Sequence, residues 1–174
     1  IDTSMGFGPL SGLIMGTRAG DIDPTIVFYL VNTLGYDVEQ VSNLLNKKSG
    51  MYGLTGYSDM RDITNAINDG DENAKLAYDM YAYRIKKFIG SYTAALNGID
   101  AIIFTAGVGE NDALTRKLVC ENMHYLGITI DDDLNTTRTP GIREINKQGA
   151  KVKVFIIPTN EELEIANQCY TLLL

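Results

Sequence analysis

Ala101-Ile102-Ile103-Phe104-Thr105 is an almost wholly apolar run that passes directly into the glycine turn Ala106-Gly107-Val108-Gly109-Glu110-Asn111. A short run of that kind is expected of a strand covered on both faces, the situation of strands in parallel sheets. A helix from Asp112 to Leu126 is expected next, then a strand around Ile128 to Ile130 and a polar loop through Pro140 and Gly141. A strand at Val152 to Ile157 and a terminal helix complete the alternation. The order of elements predicts an α/β layered fold.

The first part of the chain reads differently. Residues 2–20 hold Gly6, Gly8, Pro9, Gly12, Gly16 and Gly20, too many breakers for regular structure and enough for a shaped loop. Asp23-Pro24 then supplies a helix-starting pair, and Ile26, Val27, Leu30 and Leu34 give an apolar face until Gly35. A second helix is expected from Asp37, with Val38, Val41, Leu44 and Leu45 inward and Lys47-Lys48 in the last turn, where cations suit the helix dipole. Residues 50–57 read as a connector, and Ser58 as the cap of a short helix from Asp59 to Asn68. From Asp71 to Asn97, Ala74, Ala77, Tyr81, Ile85, Phe88, Tyr92 and Ala95 recur at helical spacing, with Tyr78, Met80 and Tyr83 widening the apolar sector. Such a helix is about 40 Å long. Its face is either buried within the chain or presented as a tyrosine-rich subunit interface.

The sequence carries 22 acidic against 15 basic residues, a formal net charge of −7, and no run of Lys or Arg exceeds a pair. That balance argues against nucleic acid or anionic lipid as a main partner, so an anionic small molecule would need locally placed cations. Cys120 and Cys169 show no paired or metal-ligand spacing and read as reduced core thiols. No apolar run approaches the roughly 18 residues of a membrane span. A cytoplasmic protein of one domain over residues 1–174 is expected. The opening at Ile1, straight into the turn-rich Asp2-Thr3-Ser4-Met5-Gly6, reads as the interior of a longer protein.

Three places have the residues for chemistry. The glycine turn at Ala106–Asn111 follows a strand, where open α/β sheets bind ligands, yet position 112 is Asp112 rather than the third glycine of a dinucleotide fingerprint. With Glu110 beside it, the turn suits the edge of a neutral adenosine better than a bare phosphate. Gly16-Thr17-Arg18-Ala19-Gly20-Asp21 holds an arginine between glycines, placed either to meet a transferring phosphoryl group or to pair with Asp21 or Asp23. In Pro158-Thr159-Asn160-Glu161-Glu162, Thr159 and Glu162 have capping-box spacing, which leaves Glu161 to hold a hydrated Mg²⁺ or to act as a first-turn acid. Asp59-Met60-Arg61 is a weaker fourth place, with Arg61 either stacked on a purine or facing solvent. The single histidine, His124, is expected inside a helix with no catalytic role.

Asp2-Thr3-Ser4-Met5-Gly6, Gly16 through Pro24, Phe104 through Asn111, and Ile157 through Leu163 together resemble the acetate kinase family, in order and over essentially the whole chain. The resemblance implies a phosphotransferase interconverting ATP plus acetate with ADP plus acetyl phosphate. It also implies the actin-like and sugar-kinase fold (ribonuclease H-like), of which this chain would be the C-terminal domain, incomplete at its N-terminal edge. Carried over to this sequence, it implies a transition-state role for Arg18. Nucleotide contacts would come from Asp59, Met60 and Arg61, and from Ala106, Gly107, Val108, Gly109, Glu110 and Asn111. Glu161 would be the carboxylate associated with Mg²⁺. Met60 stands where the family often has an aromatic residue. The family's N-terminal phosphate loop, acetate-binding arginine, and catalytic aspartate and histidine have no counterpart here, so the chain alone is expected to be inactive. A homodimer is implied as well. Alternatives are a propionate or butyrate kinase fragment, or a non-catalytic nucleotide-binding or dimerisation module.

Overall fold

In the computed structural model, which describes residues 2–173, no regular element forms before Thr25 among the described residues. Glycine makes that long loop possible by letting backbone meet backbone. Gly12 has φ +102°, and a methyl built on it would lie 2.1 Å from the Ser4 carbonyl oxygen. The chain then packs as two compact units, one running to Gly98 and the other beginning at Ile99.

The first unit is helical. Helix α1 (Thr25–Asn32) starts one residue beyond the expected Asp23-Pro24 pair, and the Asp23 carboxylate accepts from both the backbone and the hydroxyl of Thr25. Helix α2 (Val38–Lys47) is closed by a full capping box between Asp37 and Gln40. Leu30, Val41 and Leu45 form a buried cluster with Leu10, Ala19, Ile22, Val27, Val31 and Leu44 around it. Val38, expected inward, is instead exposed.

Residues expected as a connector form helix α3 (Gly50–Thr55), ended by Gly56 in the left-handed region at φ +81°. Asp59, not Ser58, caps helix α4 (Met60–Asn68), and Asp71 caps the long helix α5 (Glu72–Ala95). Helices α3 and α4 pack on α5, where Ala74, Ala77, Tyr78 and Ala82 are buried. Tyr81, Ile85, Phe88 and Tyr92 are only half-buried and Ala95 is exposed. Leu76, Met80 and Tyr83 are also exposed, so α5 has both a buried stripe and an open apolar one.

The second unit is built on a three-stranded sheet ordered β1 (Ala101–Phe104), β3 (Lys153–Ile156), β2 (Arg143–Glu144). Strand β1 runs parallel to β3 in the register Ala101 to Lys153 through Phe104 to Ile156, as the apolar run predicts. It is not covered on both faces, because Ile103 is 55% exposed while Phe104 is buried. Strand β2 falls just beyond Pro140 and Gly141, in the stretch expected as polar loop. Only two residues long, it pairs antiparallel with β3, and a two-residue strand leaves no alternation to recognise.

The expected helix from Asp112 to Leu126 breaks in two. Helix α6 (Ala106–Asn111) occupies the glycine turn itself, α7 (Ala113–Cys120) follows, and Asn122 at φ +59° turns the chain into a 3₁₀ turn at His124–Leu126. Asparagine tolerates this left-handed conformation better than most side chains. The strand expected at Ile128 to Ile130 is reduced to a single bridge from Ile130 to Asn146. The polar loop contains a short helix α8 (Asp132–Thr136), and α9 (Glu161–Leu173) ends the described chain.

Candidate functional site

Arg18 sits on a loop that other backbone holds in place. The amides of Met51 and Tyr52, unpaired donors at the start of α3, donate to the carbonyls of Met15 and Gly16, and Ser49 N–H donates to Thr17. Ala19 N–H donates to Leu45 at the end of α2, and Met15 N–H donates to the Arg18 carbonyl itself. Gly50 allows this contact. Its φ is +61°, and a methyl there would lie 2.2 Å from the Met15 oxygen and 2.6 Å from that of Arg18.

Of the two readings open for Arg18, pairing with a neighbouring aspartate is not the one realised. Asp21 accepts from Gly12 N–H at 2.6 Å and the Ser11 hydroxyl at 2.8 Å, and pairs with Arg84 at 3.4 Å. Asp23 is engaged in its cap. Among the described residues Arg18 makes no salt bridge; its Nη1 donates to the Met15 sulfur at 3.7 Å, and the half-buried side chain borders a groove shared with Asp37, Asn43 and Lys47.

Asp59, Met60 and Arg61 lie in the same unit, at the start of α4. The Asp59 carboxylate accepts the Arg61 backbone N–H at 2.8 Å and its guanidinium at 2.6 Å and 3.0 Å, while Met60 is half-buried. Those bonds, the guanidinium first and the amide second, hold the Asp59 carboxyl down at about 2. The Arg61 side chain is 89% exposed, with its guanidinium held by Asp59 through Nε and Nη2.

In the second unit, β1 delivers the chain to Ala106, whose φ of +58° is unusual for a residue with a side chain. Gly109 packs against the strand end, where a methyl would lie 3.2 Å from the Phe104 carbonyl carbon. A methyl on Gly107 would meet nothing within 4 Å. Gly109 is therefore tightly packed inside the protein, whereas Gly107 leaves its backbone open for something outside to approach. Val108 is half-buried, and the Asn111 side-chain amide donates to the Gly107 carbonyl at 3.0 Å.

Glu110 does not face outward as a bare charge. Its Oε1 accepts from Thr159 N–H at 2.9 Å and the Thr159 hydroxyl at 3.2 Å, which ties the glycine turn to the turn before α9. The expected Thr159–Glu162 capping box is therefore not formed; Asn160 takes the cap, accepting from Leu163 N–H at 3.0 Å. Glu161 is the first residue of α9 and exposed, and among the described residues no hydrogen bond or ion pair engages its carboxylate. No group of three His, Cys, Asp or Glu gathers as a metal cluster among the described residues. A single free carboxylate oxygen pair fits a hard cation that keeps most of its water, as Mg²⁺ does.

Three arginines that the sequence reading did not single out converge on the carbonyls of this turn. Arg116 donates to Gly109 at 2.8 Å, Arg143 to Glu110 at 3.2 Å and Arg138 to Asn111 at 3.4 Å. Only Arg116 had a visible signal: it lies on the same helical stripe as Val119 and Cys120, both buried. Arg138 comes from the polar loop and Arg143 opens the two-residue strand β2, where local sequence carries no periodicity to interpret.

The model of the family described as Acetokinase matches residues 1–167. An acetate kinase of Flavobacterium johnsoniae is 56% identical over 173 residues, covering 99% of this chain and 44% of that protein. The crystal structure of Porphyromonas gingivalis acetate kinase superposes with a TM-score of 0.91 at 45% identity, over 98% of this chain and 43% of that one. A propionate kinase from Francisella tularensis gives 0.89 at 43% identity, over 95% and 42%. The chain thus spans less than half the length of the relatives it matches.

Proposed function

This chain belongs to the acetokinase family, and from that premise we propose that it forms the nucleotide-side half of an acetate kinase, which reversibly transfers the γ-phosphoryl group of ATP to acetate. The observation that carries the reading is Arg18. Its backbone is locked by α2 and α3, both neighbouring aspartates are engaged elsewhere, and its guanidinium, bonded through Nη1 to the Met15 sulfur, makes no salt bridge among the described residues and keeps its other donors for an incoming group. Charge in phosphoryl transfer is spread over the equatorial oxygens, and a planar, permanently charged fork answers that distribution.

The other assignments follow as parts of the same proposal. Asp59, Met60 and Arg61 contact the nucleotide from α4, and Ala106 to Asn111 border the adenosine, with Gly107 giving the open approach. Glu161 holds Mg²⁺ through water; that ion, when bound, neutralises charge on the phosphates. Both compact units belong to one C-terminal half of a two-domain kinase. The apolar side chains exposed on α9, Leu163, Ile165 and Tyr170 among them, are surface for the rest of that protein to cover. The kinase is a cytoplasmic homodimer. Among the described residues no helix is long and apolar enough to cross a membrane. The chain by itself is inactive.

The test is acyl phosphate formation by the full-length protein from MgATP with acetate. Arg18→Ala should lower kcat by about a thousandfold or more, with much smaller changes in either KM, because the contact is made in the transition state. A variant within tenfold of wild type would remove Arg18 from the mechanism. A second reading, propionate as acceptor, is favoured by the Francisella tularensis propionate kinase, whose similarity nearly equals that of the acetate kinase. Comparing kcat/KM for acetate and propionate separates the two.

A further inference from the structure

The glycine turn is held from inside by a charge that the fold has buried. Arg116 on α7 is 2% exposed. Its Nε donates to the Asn135 side-chain oxygen at 2.7 Å, its Nη2 to the Asn135 carbonyl at 2.7 Å, and its Nη1 to the Gly109 carbonyl at 2.8 Å. Asn135, 1% exposed on α8, returns a bond from its amide to the Ala113 carbonyl at 2.9 Å. One guanidinium thus joins α6, α7 and α8.

Burial pushes the Arg116 pKa down to about 10, with repulsion from Arg143 and Arg138 adding to the effect and attraction from Asp112 opposing it. The group is still charged at neutral pH, so the folded chain bears the desolvation of a full cation. Well-packed apolar residues of similar volume are often equal or better for stability at such a position. An apolar side chain cannot, however, hold a carbonyl in one direction, and a rigid fork of donors can. Gly109 is confined on its other side by Phe104. Its Cα side is therefore backed by the strand end while Arg116 holds its carbonyl, two residues from the Gly107 backbone that stands open.

We propose that Arg116, anchored by Asn135, is a positioning residue for nucleotide binding: it fixes the Gly109 carbonyl and thereby the backbone that Gly107 to Asn111 present to the nucleotide. The inference rests on reading that turn as the adenosine side of a kinase. Arg116 itself is too deeply buried to touch the ligand.

The experiment uses the full-length kinase with Arg116→Met and Arg116→Lys. It measures KM for MgATP and for acetate, together with amide hydrogen exchange of Gly107 to Asn111 against Val154 and Ile156 in β3. Arg116→Met should raise KM for MgATP by about tenfold or more, leave KM for acetate within about twofold, and lower kcat by less than about threefold. Exchange should accelerate by about tenfold in the turn and stay unchanged in β3. Arg116→Lys, which keeps the charge but replaces the fork by one ammonium, should recover less than half of the lost affinity. An unchanged KM for MgATP, or exchange that rises equally in β3, would overturn the proposal. Should Arg116→Met fail to fold, Arg116→Lys is judged by the same two readouts. A wild-type protein that transfers no phosphoryl group would sink the kinase reading, while the exchange comparison, which needs no substrate, still decides whether Arg116 braces the turn.

Discussion

Asp59 shows how one carboxylate is made to do two local tasks, capping α4 and holding the base of Arg61. Both bonds favour its charged form, which is why its carboxyl sits at about 2 rather than 3.8. A depressed carboxyl pKa contributes stability that is complete above the unfolded value and is lost as pH falls through the folded one. We therefore expect the Asp59 carboxyl to titrate near 2 by NMR and α4 to keep its cap across the window from about 4 down to about 2. In Arg61→Ala the midpoint should move up towards 3.8, since the guanidinium is the larger cause. A midpoint that stays near 2 in that variant would show the backbone amide to be sufficient. The aspartate at this helix start was legible in the sequence, but its role as cap was given to Ser58, one residue early, because both side chains are good caps and only the backbone path decides between them.

At the scale of elements, the misread segments share one cause. Helix α3 contains Gly50 and Gly53, which locally oppose a helix, yet both face backbone at distances that exclude a side chain: 2.2 Å to Met15 and 2.8 Å to Lys48. Close approach in the folded chain outweighed propensity, as tertiary context commonly does. Gly50→Ala should then destabilise the first unit by about 2–3 kcal/mol and displace the loop that carries Arg18. The check is thermal unfolding beside the nucleotide kinetics of the full-length kinase; equal stability and equal kcat would show that the loop does not depend on that contact. Similarly, Thr159 and Glu162 had the spacing of a capping box, but Glu110, 49 positions upstream of Thr159, captured the threonine first. No local pattern announces a bond of that sequence separation. The long helix α5, the strands β1 and β3 and the helix starts near Asp37 and Asp71 were legible, since periodicity, an apolar run and a helix-starting residue are local signals.

For the whole molecule, the open stripe of α5, with Leu76, Met80 and Tyr83 exposed, is the surface that fits the homodimer proposed above. Sedimentation of the full-length kinase should give a dimer at micromolar concentration, and Tyr83→Glu, which places a charge in that stripe, should shift it towards monomer. A dimer indifferent to the substitution would put the interface elsewhere. The sequence by itself determined the α/β class, the order of most elements and the identity of the four motifs, because those depend on periodicity, turn chemistry and short strings of residues. Only the tertiary structure decided that Asp21 and Asp23 bond elsewhere rather than to Arg18, that Glu110 binds Thr159, and that Arg116, Arg138 and Arg143 grip the carbonyls of one turn. Each is a choice among several chemically acceptable partners distant in sequence. Distance in space and direction of approach make that choice, and a linear string of residues encodes them only through the completed fold.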